Sequence, residues 1–183
     1  MKFITKLFLL AAILPLSLSC EKESVKEALT KQEKDIENYI SNEIKSNPSY
    51  KVIYEKGSNR LVTKEGAGEA LAPNGTISFY YAAYTFPSSS ISLQNLFSTN
   101  KESVALAAKW ELTDKKALEI KTMNLSESSL VTGLRNGLAG VKGGEECVIL
   151  FSGKYGFGNS SLGTIPANSA LAYQIWVESI SNE

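Results

Sequence analysis

The side chains that could do chemistry are limited by one absence, because the 183 residues include no histidine. Catalytic triads that use a histidine base, and most zinc sites, are therefore excluded. Gly153-Lys154 does not belong to a phosphate-binding loop, since Val148 stands where the first glycine of that loop is required. The acidic pair Glu145-Glu146 is more typical of a solvated turn than of an acid-base dyad. We therefore expect no bound cofactor.

Aromatic and aliphatic residues near the predicted loops favour a function built on an apolar pocket. One reaction that suits such a pocket is rotation about the amide bond before proline. Its barrier, about 18–20 kcal/mol, arises from amide resonance. A dry cavity that favours the twisted amide and directs a hydrogen-bond donor at the carbonyl lowers this barrier without a nucleophile or a metal.

Period-two patterns after residue 49 predict strands. Tyr50, Val52 and Tyr54 alternate along one strand, and a turn at 57–59 leads into an extended run at 61–63. Residues 76–85 are rich in β-branched and aromatic side chains and follow a turn at 73–75, so they form the clearest strand. We predict further strands at 118–123, 147–151 and 171–180, and one or two helical turns within 101–110.

Residues 128–143 show a helical pattern that would place the strands around one helix. The apolar residues on one face are Leu130, Val131, Leu134, Leu138 and Val141. Ser128 and Ser129 can cap this helix, and Gly143-Gly144 can end it. Four to six strands and one well-marked helix predict an α+β domain, in which an antiparallel sheet wraps around a helix.

Residues 21–46 predict a second, amphipathic helix ahead of the strands, ended by Asn47-Pro48. Its narrow apolar stripe consists of Val25, Leu29, Ile36, Ile40 and Ile44. Three interpretations fit this stripe. The helix lies on the main domain, pairs with the same helix of a second copy, or serves as a solvated spacer.

Residues 1–19 have the order of a secretion signal. Lys2 and Lys6 precede an apolar run at 7–18 that is shorter than the roughly 20 residues of a membrane span, and small residues come just before Cys20. Cys20 resembles the lipid-acceptor cysteine of bacterial lipoproteins, although Ser17 stands where a branched aliphatic residue is usual. Ordinary cleavage after Ser19 is the alternative. We expect an extracytoplasmic protein, on the periplasmic or cell-surface face, anchored to the membrane through Cys20.

Without the signal, the chain has 17 basic and 19 acidic residues, a net charge of −2. These charges are interleaved, so no nucleic-acid partner is predicted. Cys147 lies in an apolar run and is predicted to be a buried free thiol. The predicted organisation is a signal peptide at 1–19, a lipidated N-terminus and helical arm at 20–48, and the main domain at 49–183.

Four stretches carry a family resemblance: LVTGLRNGL at 130–138, VKGGEE at 141–146, YGFG at 155–158 and IPANSAL at 165–171. In this order they resemble the FKBP-type peptidyl-prolyl isomerases. Residues 77–81 are similar to that family's strand ending in a pocket tyrosine, and 96–100 to its next pocket segment. The resemblance covers about residues 50–183. It implies an FKBP-like α+β fold, an antiparallel β-sheet wrapped around a central helix, preceded here by the N-terminal helix.

The resemblance also implies a substrate pocket, whose lining residues would be Tyr81, Phe97, Leu130, Val131, Leu134, Phe157, Ile165 and Tyr173. Ser98 stands where the family usually has Asp, and Leu134 replaces the Trp of the pocket floor. Phe157 replaces the Tyr whose hydroxyl usually bonds the substrate carbonyl. Ordinary core packing is the alternative role for these residues.

The function implied by the resemblance is a peptidyl-prolyl cis-trans isomerase that acts on proline-containing segments of exported proteins. Because Ser98 and Phe157 remove polar groups from the pocket, we expect weak activity. The alternative is a non-catalytic FKBP-like chaperone or an assembly subunit of a membrane-associated complex. Either protein would be held at the membrane by the Cys20 lipid, and pairing through the N-terminal helix would make it a dimer.

Overall fold

The structure, a computed structural model, describes residues 15–126 and 129–183, with side chains from residue 23 onward. Residues 1–14 of the predicted secretion signal, the Cys20 side chain and the predicted cap Ser128 lie outside the described residues. The first helix, α1, spans Pro15–Ser46. Within the described part of the chain, no helix is both long enough and apolar enough to cross a membrane.

The first strands follow α1 closely. Strands β1 (Lys51–Glu55) and β2 (Ser58–Lys64) form a hairpin through Lys56-Gly57, whose φ angles of 46° and 86° are left-handed. The turn predicted at 57–59 is therefore one residue too late, because Ser58 already pairs with Glu55. Strands β3 (Ala67–Ala70) and β4 (Thr76–Thr85) come next, and the bounds of β4 are those that its composition predicts.

The remaining elements complete a seven-stranded antiparallel sheet. They are β5 (Leu96–Thr99), α2 (Glu102–Ala107), β6 (Lys121–Asn124), α3 (Thr132–Leu138), β7 (Lys142–Gly143), β8 (Glu146–Phe151) and β9 (Leu171–Ser181). The strand order is β1-β2-β8-β9-β4-β5, β6 also pairs with β4, and β3 pairs with β7 in a separate small sheet. The chain has more strands than the four to six predicted, since β3, β5 and β7 are too short to show a pattern.

Helix α3 is shorter than the predicted helix at 128–143. Val131 is its N-cap and has extended backbone (ψ 142°), and Ala139 is extended again at the other end. Leu130 and Val141 therefore flank the helix instead of belonging to it. The helix lies very close to the sheet because Gly133 and Gly137 face it. A Cβ atom at these positions would come within 2.3 Å of the Phe151 ring and 2.2 Å of Ile149, respectively.

The sheet buries apolar side chains on both faces. On one face, Leu134 and Leu138 of α3 pack against Phe79, Ile149 and Phe151. On the opposite face, α1 packs through four residues, of which Ile36 and Ile40 are fully buried and Tyr39 and Ile44 partly buried. They meet side chains of β2, β4 and β8 in a second core, among them Leu61, Tyr84 and Leu150. Of the three interpretations of the amphipathic helix, this contact agrees with the first, in which the helix lies on the main domain.

Arg60 on β2 forms a buried ionic link between the sheet and the end of α3. Its Nη1 donates to the carbonyls of Gly137 (2.9 Å) and Ala139 (2.7 Å), and its Nε lies 3.4 Å from Oε1 of Glu145. Glu145 is only 4% exposed, so the prediction of a solvated turn was wrong for this residue. Nearby Cys147 is a buried free thiol, as predicted.

The Glu145 carboxyl should make stability depend on pH. Burial raises its pKa above 4.5, and this effect outweighs the lowering by the Arg60 guanidinium. Because of the raised pKa, the folded state binds the carboxyl proton more tightly than the unfolded state does. The folded state therefore loses stability relative to the unfolded state as the pH rises above the unfolded pKa. We expect the free energy of unfolding of wild type minus that of Glu145→Gln to decrease as the pH rises above the unfolded pKa of the carboxyl. Urea unfolding at several pH values measures this difference, and a constant difference would contradict it.

Candidate active site

A cavity of about 300 Å³ opens between α3, strands β4, β5 and β9, and the loop after β8. Seven of the eight predicted pocket residues line it: Tyr81, Phe97, Leu130, Val131, Leu134, Phe157 and Tyr173. These residues come from five separate parts of the chain. The fold thus brings them together around one largely apolar space.

The eighth predicted residue, Ile165, does not line the cavity. Its side chain is 4% exposed and belongs to the core on the α3 face of the sheet. Its backbone forms a tight bridge with Leu162, in which each N–H donates to the other residue's carbonyl over 2.9 and 3.0 Å. This bridge lies within the loop that carries Phe157, and Phe157 packs against the same core as the Ile165 side chain.

Tyr81 lies on β4, and its backbone forms hydrogen bonds with the last residue of β5 and with the residue after it. Its N–H donates to Oδ1 of Asn100 over 2.6 Å, and its carbonyl accepts from the Thr99 hydroxyl over 2.6 Å. The Tyr81 hydroxyl and the Ser98 hydroxyl lie 2.9 Å apart in a hydrogen bond. The polar partner of Tyr81 in this cavity is therefore a neutral serine, where the family resemblance would have supplied a carboxylate.

Tyr173 on β9 forms another wall of the cavity. Its ring meets Phe97 edge to face at a centroid distance of 6.2 Å and stacks on Phe151 at 5.9 Å. Burial raises the pKa of Tyr173, and a smaller contribution comes from Tyr81, so the Tyr173 hydroxyl stays protonated at neutral pH. No residue in the described ranges forms a hydrogen bond with this hydroxyl, which leaves it able to donate to a bound molecule.

The inner wall of the cavity comes from the start of α3. Leu134 is buried, whereas Leu130 and Val131 are partly buried and precede the first helical turn. The close seating of Gly133 against Phe151 brings this turn toward the sheet, so Leu134 reaches the cavity although it is shorter than a tryptophan.

Sequence analysis missed several lining residues: Phe79, Ala83, Lys121, Met123 and Ser129. Phe79 also belongs to the core on the α3 face of the sheet. Lys121 and Met123 lie on β6, which pairs with β4 so that Lys121 is opposite Phe79. Only this pairing reveals their position, because a four-residue strand has little pattern of its own. In the residues that the structure describes, no group of three or more His, Cys, Asp and Glu could hold a metal.

Comparisons with known proteins place these features in a family context. Residues 98–178 match the family model described as FKBP-type peptidyl-prolyl cis-trans isomerase. This range contains six of the eight predicted pocket residues, including Val131, Phe157 and Tyr173. No curated protein matches the chain. The family resemblance of the sequence is thus confirmed over its second half.

Solved structures share the fold. FkpA from Escherichia coli has a TM-score of 0.57 at 16% identity, over 90% of this chain and 66% of FkpA. A peptidyl-prolyl cis-trans isomerase from Pseudomonas syringae pv. tomato str. DC3000 has 0.57 at 14%, over 86% of this chain and 96% of that one. The N-terminal domain of FKBP42 from Arabidopsis thaliana has 0.53 at 17%, over 72% and 93%. At these identities the likeness concerns the fold, and the predicted FKBP-like α+β fold is confirmed.

Proposed function

Because the chain carries a domain of the FKBP-type peptidyl-prolyl cis-trans isomerase family, we propose that it binds proline-containing segments and accelerates their cis/trans isomerisation. The observation that carries this proposal is the cavity, where seven of the eight predicted pocket residues surround about 300 Å³ of largely apolar space. A volume of this order accommodates a proline ring and part of its neighbours. Uncatalysed isomerisation takes tens to hundreds of seconds, which is slow enough to limit protein folding.

The mechanism needs no covalent intermediate. Phe97, Leu134 and Phe157 surround the proline ring and exclude water, which favours the less polar twisted amide over the planar one. The Val131 backbone amide, at the cavity wall, positions the bound segment. As the amide twists, its nitrogen loses conjugation and the carbonyl is no longer polarised by resonance. Binding the twisted form more tightly than either planar form produces the acceleration.

The Tyr173 hydroxyl is the hydrogen-bond donor that we assign to a backbone carbonyl of the bound segment, which it holds in the cavity. It is buried, protonated and without a hydrogen bond in the described part of the chain, whereas the Tyr81 hydroxyl is already bonded to Ser98. The family resemblance places the donor at position 157, where this chain has Phe157. Since one neutral hydrogen bond is worth about 0.5–1.5 kcal/mol, we expect activity that is weak but present.

A direct assay tests the proposal. The tetrapeptide Ala-Leu-Pro-Phe is mixed with the full chain, and exchange between its cis and trans forms is followed by NMR. Acceleration that increases with protein concentration supports the isomerase. If the folded protein binds the peptide without accelerating exchange, the domain is the non-catalytic chaperone or assembly subunit, and if it does neither, the cavity has another ligand.

The Tyr173→Phe variant tests the donor. It keeps the ring and its contacts with Phe97 and Phe151 and removes only the hydroxyl. Loss of one hydrogen bond to the bound segment should lower kcat/KM about tenfold, with most of the change in KM. Tyr84→Phe is the matched control, because the Tyr84 hydroxyl bonds Gln174 on the opposite face of the sheet. Equal activity of the two variants would show that the Tyr173 hydroxyl does not act on the substrate.

The location of the activity is part of the same proposal. The order of residues 1–19 supports export, and Cys20 supports a lipid anchor that would hold the domain near newly exported chains. Mass spectrometry of the protein from membranes is expected to show a chain that begins at Cys20 with acyl groups. An unmodified Cys20 would make the isomerase soluble.

Pairing of two copies through α1 stays a prediction, because Val25 and Leu29 on this helix are partly exposed. Analytical ultracentrifugation tests it.

A further inference from the structure

Gln32 of α1 contacts both ends of the loop that joins β8 to β9. Its side-chain Nε2 donates to the backbone carbonyl of Asn168 over 2.6 Å, and its Oε1 accepts from the backbone N–H of Gly153 over 2.9 Å. The two functional groups of one amide thus bind two backbone segments that are 136 and 121 residues away in sequence. A hydrocarbon or a charged side chain could not make both bonds.

The loop that Gln32 holds is a compact unit that carries Phe157. The N–H of Asn168 donates to Gly158 over 2.6 Å, and the N–H of Gly158 donates to Gly153 over 3.2 Å. Asn168 has a left-handed backbone with φ 56°, which fixes the direction of the chain at that point. Phe157 precedes Gly158 directly and lines the cavity. Any shift of Gly153 relative to Asn168 therefore moves a wall of the cavity.

The helix itself is held on the sheet by contacts that do not involve Gln32. Ile36 and Ile40 are 1% and 3% exposed, and the Tyr39 ring meets Phe86 edge to face at 5.7 Å. Phe86 in turn donates its backbone N–H to the carbonyl of Ala170 over 2.8 Å, at the end of the same loop. Since these apolar contacts are one to two turns along the helix, they fix the place from which Gln32 reaches the loop.

We propose that α1 is a positioning element of the cavity, and that Gln32 is the positioning residue through which it acts. The helix does more than connect the domain to the N-terminus, because it holds the loop with Phe157 in the conformation that closes one side of the cavity. This inference rests on the proposed function for its kinetic readout. Its structural readout, the exchange of loop amides, does not depend on that function.

The experiment compares Gln32→Ala with Glu33→Ala in the full chain. Glu33 is the next residue on α1, is exposed and forms no interaction with the described residues, so it controls for helix composition. For Gln32→Ala we expect the KM for Ala-Leu-Pro-Phe to rise about fivefold, with kcat within about twofold of wild type, because a loosened wall weakens binding. The Gly153 amide should exchange with solvent at least about tenfold faster, since its hydrogen bond is lost.

A second variant separates positioning from general stability. Gln32→Glu keeps an acceptor for the Gly153 N–H and loses the donor to Asn168, so it should keep most of the Gly153 protection and an intermediate KM. Unchanged KM and exchange in Gln32→Ala, relative to Glu33→Ala, would overturn the inference while leaving the isomerase intact. If the wild-type protein does not accelerate isomerisation, the proposed function is wrong. The hydrogen exchange of the Gly153 amide and the affinity for the peptide then still decide the role of Gln32.

Discussion

The Val131→Asp variant is expected to lose at least about a hundredfold in kcat/KM, since an unpaired carboxylate in an apolar cavity costs several kcal/mol on substrate binding. Val131 lies at the cavity wall beside Leu130 and Leu134, where a carboxylate would attract water into the space meant for the proline ring. The same change should not unfold the protein. Val131 is the N-cap of α3 and makes no side-chain cap hydrogen bond, and Asp at an N-cap stabilises a helix by about 0.5–2 kcal/mol.

Thr132→Asp is the matched control for this variant. It places the same charge one residue further along α3, on an exposed side chain that does not line the cavity. We expect its activity to stay within about threefold of wild type, and its stability to change in the same direction as that of Val131→Asp. Peptide exchange by NMR and urea unfolding measure both effects. Equal activity of the two Asp variants would show that the substrate does not occupy this cavity.

The Arg60→Met variant is expected to lose about 3–5 kcal/mol of unfolding free energy, the usual cost of breaking a buried ion pair. Met fills much of the space of the Arg side chain, so the loss comes from polar groups. The carbonyls of Gly137 and Ala139 lose their donor at the C-terminal end of α3, where a positive charge is favourable. The Glu145 carboxylate stays buried without its partner. Urea unfolding at neutral pH measures the change.

Lys64→Met controls for the loss of a basic residue from the same strand. Lys64 pairs with Glu146 over 3.0 Å at the surface, where such pairs contribute about 0–1 kcal/mol. The double variant Arg60→Met/Glu145→Gln should be more stable than Arg60→Met alone, because it no longer buries a lone carboxylate. A loss in Arg60→Met no larger than in Lys64→Met would mean that the buried pair contributes little.

The candidate site could be assigned from the sequence where several motif residues occur together. The runs near Val131, Phe157 and Tyr173 can be recognised by their residue types and their order along the chain, and seven of the predicted pocket residues line one cavity. Ile165 lies in the core beside this cavity, which the motif could not show because it names a residue without saying which way its side chain points. Lys121 and Met123 lie within a predicted strand, but they were not assigned to the site because that strand reaches the cavity only by pairing with β4.

The burial and the partners of polar residues in the interior could not be predicted from the sequence either. Glu145 follows two glycines and precedes another glutamate, which is typical of a solvated turn, yet it is buried beside Arg60. These two residues are far apart in sequence, and nothing in either segment indicates the other. The same holds for Gln32, which is one polar residue among many on an amphipathic helix until its contacts with Gly153 and Asn168 are seen.

The sequence alone determined which chemistry is possible and which fold carries it. The lack of histidine excluded triads with a histidine base and most zinc sites, and the resemblance of the motifs from Leu130 to Leu171 implied an apolar proline-binding site in an FKBP-like domain. These features are local, so they can be read from neighbouring residues. The tertiary structure decided the length of α3, the position of α1 on the sheet and the lack of a hydrogen-bond partner for the Tyr173 hydroxyl among the described residues. Each of these depends on contacts between distant segments, whose energies no local pattern records.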